Sequence, residues 1–253
     1  MKKILFCLLI LSKSLFANEC QGPIDLLVLG DSQTGATWSK SYFGNFLQEC
    51  LSENFVILGK GASIPGSWIG KGGLDQIEII QRTQESDHQN IGSGEKVPAC
   101  KKRLEPMLKN YLPKRVLFFF GDNYIASSNE MIAQDINQFA KTLEQNFISK
   151  ENCFFLTPTF EMEVKTKRNV SLKNLANTLR INQLIKENLD QKCQVIDGIE
   201  LMKDSPYFDG KELLKRVQIQ DRMGCTGAAM NDNIHLCGAA AEDLAKRTCQ
   251  IMR

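Results

Sequence analysis

The sequence predicts an α/β protein, a three-layer α/β/α sandwich around a mostly parallel five-stranded sheet. Short apolar segments alternate along the chain with longer segments of helical periodicity. Glycine, proline or aspartate bounds the apolar segments, and strands that are apolar on both faces are typical of a parallel sheet covered by helices. Residues 18–253 are expected to form a single domain, because α/β chains of this length commonly do so.

The apolar runs predict five strands, at residues 24–29, 55–58, 116–120, 153–156 and 194–196. Apolar residues at spacings of three and four predict helices at residues 41–49, 74–82, 101–110, 129–146, 172–189 and 239–252. The polar stretch 83–98 is the longest loop-like segment, and loops of that size usually either cover a site or are poorly ordered.

Residues 1–17 have the organisation of a secretory signal peptide. Lys2 and Lys3 precede an apolar run over residues 4–11, and the small residue Ala17 stands at the expected cleavage point. The run is far shorter than the roughly 20 residues needed to cross a bilayer. We therefore expect export, to a periplasm or outside the cell, without stable membrane insertion.

Cysteine usage agrees with an exported chain. Eight of the nine cysteines remain once Cys7 leaves with the signal peptide, and an even count outside the cytosol favours disulfides. A metal site would require close pairs such as CxxC, which the spacings do not provide, so no metal is expected. A bridge between Cys225 and Cys237 is the one pairing predicted here, because it would restrain the segment that contains Asp232 and His235.

The charge balance gives no reason to expect a nucleic-acid partner. The formal net charge is +2, and the signal segment contributes Lys2, Lys3 and Lys13 to it without any acidic residue. A nearly neutral mature chain has no electrostatic attraction for nucleic acid or anionic membrane. The expected partner is a small ester or an acylated glycan, bound by a monomer.

Two segments far apart in the chain contain the groups of a serine nucleophile. Ser32 follows the first predicted strand, and Asp232 and His235 lie near the C-terminus. A serine hydroxyl needs an imidazole to take its proton, and the imidazole needs a carboxylate to fix its tautomer. His88, the other of the two histidines in the chain, lies in the polar stretch 83–98 and is expected to be a solvated loop residue.

Three groups are suitable donors to an oxyanion: the backbone amides of Ser32 and Gly61 and the side chain of Asn123. All follow predicted strands, and reactive groups gather at the carboxyl ends of strands in open parallel sheets. Asp31 is expected to fix its loop, and Asp122 to make a structural hydrogen bond. Taken singly, each group is equally explained as a turn or capping residue.

In chain order, these residues resemble the conserved blocks of the SGNH hydrolases, also called GDSL-type esterases. The matching residues are Gly30-Asp31-Ser32, Gly61, Gly121-x-Asn123 and Asp232-x-x-His235. The resemblance runs from Ile24 to about Met252 and implies a flavodoxin-like fold with a Ser32, His235 and Asp232 triad and no cofactor. It also implies Ser32, Gly61 and Asn123 as oxyanion donors. Gln33 replaces the commoner leucine or isoleucine, and Tyr124 stands where aspartate is frequent.

The sequence thus predicts an exported serine esterase that removes a small acyl group, above all acetyl, from a carbohydrate. The aromatic residues Trp38, Trp68 and Tyr124 follow the first three blocks and are expected to bind substrate, with ordinary packing as the alternative. Other functions remain open: a lipid esterase or lysophospholipase, a thioesterase, a sugar O-acyltransferase, or a non-catalytic glycan-binding envelope protein.

Overall fold

The computed structural model describes residues 20, 22–34, 43–70, 74, 77–82, 99–159, 171–206, 235–236 and 238–253. Several predictions concern residues outside these ranges. They are the signal peptide at residues 1–17, the substrate contact of Trp38, the solvated His88, the triad carboxylate Asp232, and the Cys225–Cys237 bridge.

Six strands form one sheet in the described part of the chain. They are β1 (Leu26–Gly30), β2 (Phe55–Gly59), β3 (Glu78–Arg82), β4 (Arg115–Phe119), β5 (Cys153–Leu156) and β6 (Gln194–Ile196). Their order across the sheet is β3-β2-β1-β4-β5-β6. Only β3 runs antiparallel to its neighbour, and the other five strands are mutually parallel.

The five parallel strands are the predicted ones, with ends that move by at most two residues, so the predicted fold class is confirmed. The predicted helix at 74–82 is wrong, because β3 occupies Glu78–Arg82 and pairs with β2. The helical spacing of Leu74, Ile77 and Ile80 competes here with the alternation of Ile77 and Ile79. Pairing with the otherwise open edge of β2 decides the outcome, and β-branched isoleucine suits a strand.

In the part of the chain that the structure describes, the helices that flank the sheet are α1 (Phe43–Cys50), α2 (Pro65–Ile69), α3 (Leu104–Tyr111), α4 (Asn129–Gln145), α5 (Leu172–Leu189), α6 (Gly198–Lys203) and α7 (Gly238–Met252). Within the described residues, these helices divide between two apolar cores. Leu26 and Val28 of β1 face α1, α6 and α7, whereas Leu27 and Leu29 face α2, α3, α4 and most of α5. This alternation produces the three layers.

The chain order creates a topological switch beside β1. From β1 the chain passes to β2, its neighbour on one side within the sheet, and later returns to β4, its neighbour on the other side. Gly30, the last residue of β1, pairs with Gly59 of β2 and with Phe119 of β4. The three strands therefore end at one level, and the loops that follow them meet in the crevice where α/β proteins bind ligands.

Three disulfides join elements across the described structure: Cys20–Cys100, Cys50–Cys249 and Cys153–Cys193. The second of them links the C-terminal end of α1 to the last turn of α7. None of the helices in the described ranges is both long enough and apolar enough to span a bilayer.

Candidate active site

The turn that holds Ser32 depends on the small size of Gly30. A Cβ atom at Gly30 would lie 1.8 Å from Oγ1 of Thr34 and 2.8 Å from the carbonyl oxygen of Phe119. The chain turns directly after β1, and the turn is closed by a hydrogen bond from the Thr34 amide to the Asp31 carbonyl oxygen at 3.2 Å. Glycine at this position allows the sharp turn that lifts the serine to the sheet edge.

Ser32 contacts His235 across the sheet edge. The Nε2 atom of His235 lies 2.6 Å from Oγ of Ser32, and both side chains are partly exposed. His235 comes just before α7, so the packing of that helix against the sheet sets the position of the imidazole. A hydroxyl within hydrogen-bond reach of an imidazole is the arrangement required for proton transfer from a serine nucleophile.

The second loop, after β2, brings Gly61 beside the Ser32 turn. The Lys60 amide donates to the Gly30 carbonyl at 3.0 Å, which ties this loop to the end of β1. A Cβ atom at Gly61 would meet no protein atom within 4 Å, so open space lies on that side of the residue. Gly61 therefore has room for a substrate at its backbone.

The third loop, after β4, places Asn123 against both of the others. Its Nδ2 atom lies 3.0 Å from the carbonyl oxygen of Ser63 and 3.3 Å from Oδ2 of Asp31. Gly121 starts this loop with a φ of 139°, and a Cβ there would lie 2.4 Å from Cγ of Pro158. The glycine is thus required for the close approach that orients Asn123.

Asp31 is buried behind the nucleophile. Its Oδ1 accepts a hydrogen bond from the Gln33 amide at 2.9 Å, and its exposed fraction is 1%. Burial raises the pKa of Asp31 to about 7, against opposing hydrogen bonds from the backbone of Gln33 and Gly121 and the side chain of Asn123. These contacts are those of the loop-fixing residue that the sequence predicts.

Gln33 joins two of the loops in a way that the sequence does not predict. Its Nε2 donates to Oδ2 of Asp122 at 2.9 Å, and its Oε1 accepts the Leu236 amide at 3.3 Å. In the sequence, Gln33 is notable only as a departure from the family pattern, because its partners lie 89 and 203 residues away.

Trp68 and Tyr124 do not line the site, which corrects their predicted role in substrate binding. Both side chains are fully buried in the core that α2, α3 and α4 share, with Trp68 contributed by α2 itself. Nε1 of Trp68 donates to Oγ of Ser63 at 3.2 Å, and the Tyr124 hydroxyl donates to Asp135. Burial, reinforced by that hydrogen bond, raises the pKa of Tyr124. Because both residues follow site residues closely in sequence, they lie near the site loops, but their side chains are buried in the core.

The described side chains offer no metal site. Within those ranges, no group of three or more histidine, cysteine, aspartate or glutamate residues is arranged to hold a metal ion. What the described residues do bring together is a serine, an imidazole and an amide side chain at the carboxyl ends of adjacent strands.

Sequence comparison alone identifies no relative: no family model matches the chain, and no curated protein is significantly similar to it. Solved structures do resemble it. A platelet activating factor-like protein from Streptococcus pneumoniae has a TM-score of 0.56 at 14% identity, over 94% of this chain and 87% of that one.

Two further structures are similar at lower identity. A DUF4886 family protein from Bacteroides uniformis has a TM-score of 0.56 at 10% identity, covering 91% of this chain and 83% of its own. A peptidoglycan O-acetylesterase has a TM-score of 0.50 at 8% identity, covering 91% and 90%. At these identities the likeness is one of fold alone, and the fold that this chain shares with these structures is a three-layer α/β/α sandwich.

Proposed function

We propose that this chain is an exported serine esterase that removes a small acyl group, above all acetyl, from an oxygen of a carbohydrate. The observation that carries the proposal is the 2.6 Å contact between Ser32 Oγ and His235 Nε2 at the carboxyl edge of the sheet. Beside that contact, hydrogen bonds tie together the loops of Gly61 and Asn123.

In the acylation step, Oγ of Ser32 attacks the ester carbonyl while Nε2 of His235 takes the hydroxyl proton. The tetrahedral intermediate collapses when His235 returns that proton to the leaving sugar oxygen. The products of this step are a free sugar hydroxyl and an acyl group esterified to Ser32. In the second step, water attacks the acyl-enzyme with His235 again acting as base, which releases the carboxylic acid and regenerates the serine.

The negative oxygen of each intermediate requires hydrogen-bond donors. The amides of Ser32 and Gly61 and the Nδ2 group of Asn123 are assigned to this role, and removal of one such donor typically lowers kcat by about 10²–10³-fold. The open space beside Gly61 supports its assignment, because a substrate carbonyl must reach the backbone there. The contacts of Asn123 with the other two loops support its placement at the same point.

Asp232 is assigned to orient the imidazole through Nδ1. It precedes His235 by three residues, as in the family that the sequence resembles. A carboxylate in this position fixes the tautomer that leaves Nε2 free to accept the serine proton, and stabilises the imidazolium that forms.

Export and the fold support a carbohydrate ester as substrate. The N-terminal residues have the pattern of a signal peptide, and six cysteines are paired in three disulfides, which is typical of exported proteins. The fold is shared with a peptidoglycan O-acetylesterase. Because acetylated polysaccharides lie outside the cytoplasm, an exported esterase of this fold would meet them.

Acetate release tests the substrate assignment. The signal-free, oxidised protein is incubated with O-acetylated peptidoglycan and O-acetylated xylan, and free acetate is measured against the same polymers after alkaline deacetylation. Ser32→Ala should abolish release, whereas Ser52→Ala, which changes an exposed serine before β2, should not. Folded wild-type protein that hydrolyses p-nitrophenyl acetate but releases no acetate from either polymer would overturn the carbohydrate part of the proposal.

A further inference from the structure

The side chain of Gln33 lies at the junction of the nucleophile turn, the Asp122–Asn123 loop and the His235 segment. Its exposed fraction is 2%, so its amide has little access to water. Both ends of that amide are used: Nε2 lies 2.9 Å from Asp122 Oδ2, and Oε1 lies 3.3 Å from the Leu236 nitrogen. One side chain therefore connects the loop after β4 to the segment before α7.

The partners fix the orientation of this amide. A backbone N–H only donates, and an ionised carboxylate only accepts, so the carbonyl end must face Leu236 and the amino end must face Asp122. A flipped amide would set two donors against each other at one end and two acceptors at the other. The bridge therefore needs an acceptor and a donor on one side chain, and the leucine or isoleucine commoner at this position would satisfy neither group.

Each partner is adjacent to a residue of the proposed machinery. Leu236 follows His235, whose imidazole contacts Ser32, and Asp122 precedes Asn123. Leu236 is itself buried, so its amide would lose a hydrogen bond without replacement if Gln33 were apolar. An unsatisfied buried polar group of this kind destabilises the arrangement, which favours a shift of the segment that contains it.

We propose that Gln33 is a positioning residue that sets His235 and Asn123 on either side of the Ser32 nucleophile. The inference rests on the proposed esterase function and adds to it how this chain, with glutamine in place of the commoner apolar residue, fixes the relative position of base and oxyanion donor. Gln33 acts through Leu236 and Asp122 and does not touch the substrate.

The first test replaces Gln33 with methionine, which has a similar length and no hydrogen-bonding amide. We expect kcat for p-nitrophenyl acetate to fall about 100-fold with KM nearly unchanged, because small misplacements of catalytic groups have effects of that size. Gln183→Met is the matched control, since Gln183 is exposed on α5 and bonds only to Glu187 at 2.7 Å among the described contacts. A kcat within twofold of wild type in Gln33→Met would overturn the proposal.

The second test uses Gln33→Glu, which keeps an acceptor for the Leu236 amide but sets a second carboxyl against Asp122. Two carboxyls in contact share a proton when the pH is low enough, because both cannot be ionised cheaply. The shared proton would restore the donor to Asp122. The other titratable groups that face this position are Asp31, which binds the residue-33 amide, and His235, beside Leu236.

Asp31 and His235 are present in both proteins, so the informative quantity is the ratio of kcat/KM in Gln33→Glu to that of wild type. We expect this ratio to rise at least tenfold as the pH falls from about 9 to about 6, as the shared proton returns. A damaged fold would lower the ratio equally at all pH values. A ratio independent of pH would therefore overturn the positioning role, even if Gln33→Met proves unstable.

A fluorophosphonate probe separates failure of this inference from failure of the esterase proposal. Labelling of Ser32 needs the serine, its base and the oxyanion donors, but no ester substrate. Wild-type protein that labels without hydrolysing any ester would overturn the esterase function, and the slower labelling expected of Gln33→Met would still support the positioning role. Equal labelling rates in the two proteins would overturn the positioning role.

Discussion

The Nδ2 atom of Asn123 lies 3.3 Å from Oδ2 of Asp31 and 3.0 Å from the carbonyl oxygen of Ser63. Both hydrogens of the amide are thus held by the protein itself, one by a buried carboxyl and one by the loop that contains Gly61. These two contacts hold the amide in place. We propose that a substrate oxyanion takes the place of one of the two acceptors, as the assignment of Asn123 to an oxyanion site requires.

Substitution Asn123→Ala should lower kcat for p-nitrophenyl acetate by about 10²–10³-fold, with a smaller effect on KM, because the donor acts on charge that develops only in the transition state. Steady-state kinetics measure this change. Asn110→Ala is the matched control, since the Asn110 side chain bonds to the Pro106 carbonyl on the exposed face of α3. Unchanged kcat in Asn123→Ala would remove Asn123 from the oxyanion site.

Asp31 should make stability depend on pH. Its pKa is raised to about 7 in the folded protein from an ordinary 3.8, so between these values the folded protein holds a proton that the unfolded chain has lost. Because Asp31 is then ionised in the unfolded chain but not in the folded protein, the free energy of unfolding falls as the pH rises from about 4 to about 7. The fall is up to roughly 4 kcal/mol. Asp31→Asn removes this dependence, which urea unfolding at several pH values measures relative to wild type.

Asp25→Asn is the control of opposite sign. The hydrogen bond from Lys114 lowers the pKa of Asp25, so that residue stabilises the folded protein above its unfolded pKa and loses the effect as the pH falls. The two substitutions should therefore change the slope of stability against pH in opposite directions. A constant difference between wild type and Asp31→Asn over this pH range would contradict the raised pKa.

Two glycine substitutions separate a role in substrate access from a role in folding. Gly61→Ala should leave the melting temperature unchanged, because a Cβ there meets no protein atom within 4 Å, but should lower kcat/KM by crowding the substrate. Gly30→Ala should lower the melting temperature, because its Cβ would lie 1.8 Å from Thr34 Oγ1 and 2.8 Å from the Phe119 carbonyl. Thermal unfolding and ester kinetics of both variants check this pair. Full activity in Gly61→Ala would contradict the assignment of Gly61 to the oxyanion site.

A fourth disulfide is expected between Cys225 and Cys237. Six of the eight cysteines that follow residue 17 are paired in the described structure, and these two are the others. Mass spectrometry of a non-reduced digest should find the two in one linked peptide pair. Free thiols at both positions in the oxidised protein would contradict the prediction. In that case, replacing Cys225 and Cys237 together with serine would leave activity unchanged.

Local sequence pattern is sufficient for much of this fold. Helix α5 is predicted to the residue, because Ser171 caps its first turn by accepting the Asn174 amide and the apolar periodicity ends at Leu189. The parallel strands are apolar on both faces and are bounded by turn residues, so their positions follow from composition. The placement of Ser32, Gly61 and Asn123 after strands, and of His235 before the last helix, likewise follows from the sequence.

Features that depend on distant partners do not follow from local pattern. Strand β3 forms because the edge of β2 is available, although its residues also have helical spacing. The burial of Trp68, on α2, and of Tyr124 depends on packing against α3 and α4, which spacing in the chain does not indicate. The bridging role of Gln33 requires partners from two other loops, and a single polar residue after the nucleophile gives no sign of them.

The serine mechanism is tested by hydrolysis of p-nitrophenyl acetate, comparing the oxidised protein that lacks residues 1–17 with its Ser32→Ala variant. We expect turnover by wild type and a loss of about 10³-fold or more in the variant, with the same melting temperature in both. Butyrate and octanoate esters should be poorer substrates than acetate. Absence of turnover in folded wild-type protein, or equal turnover in Ser32→Ala, would contradict the serine mechanism.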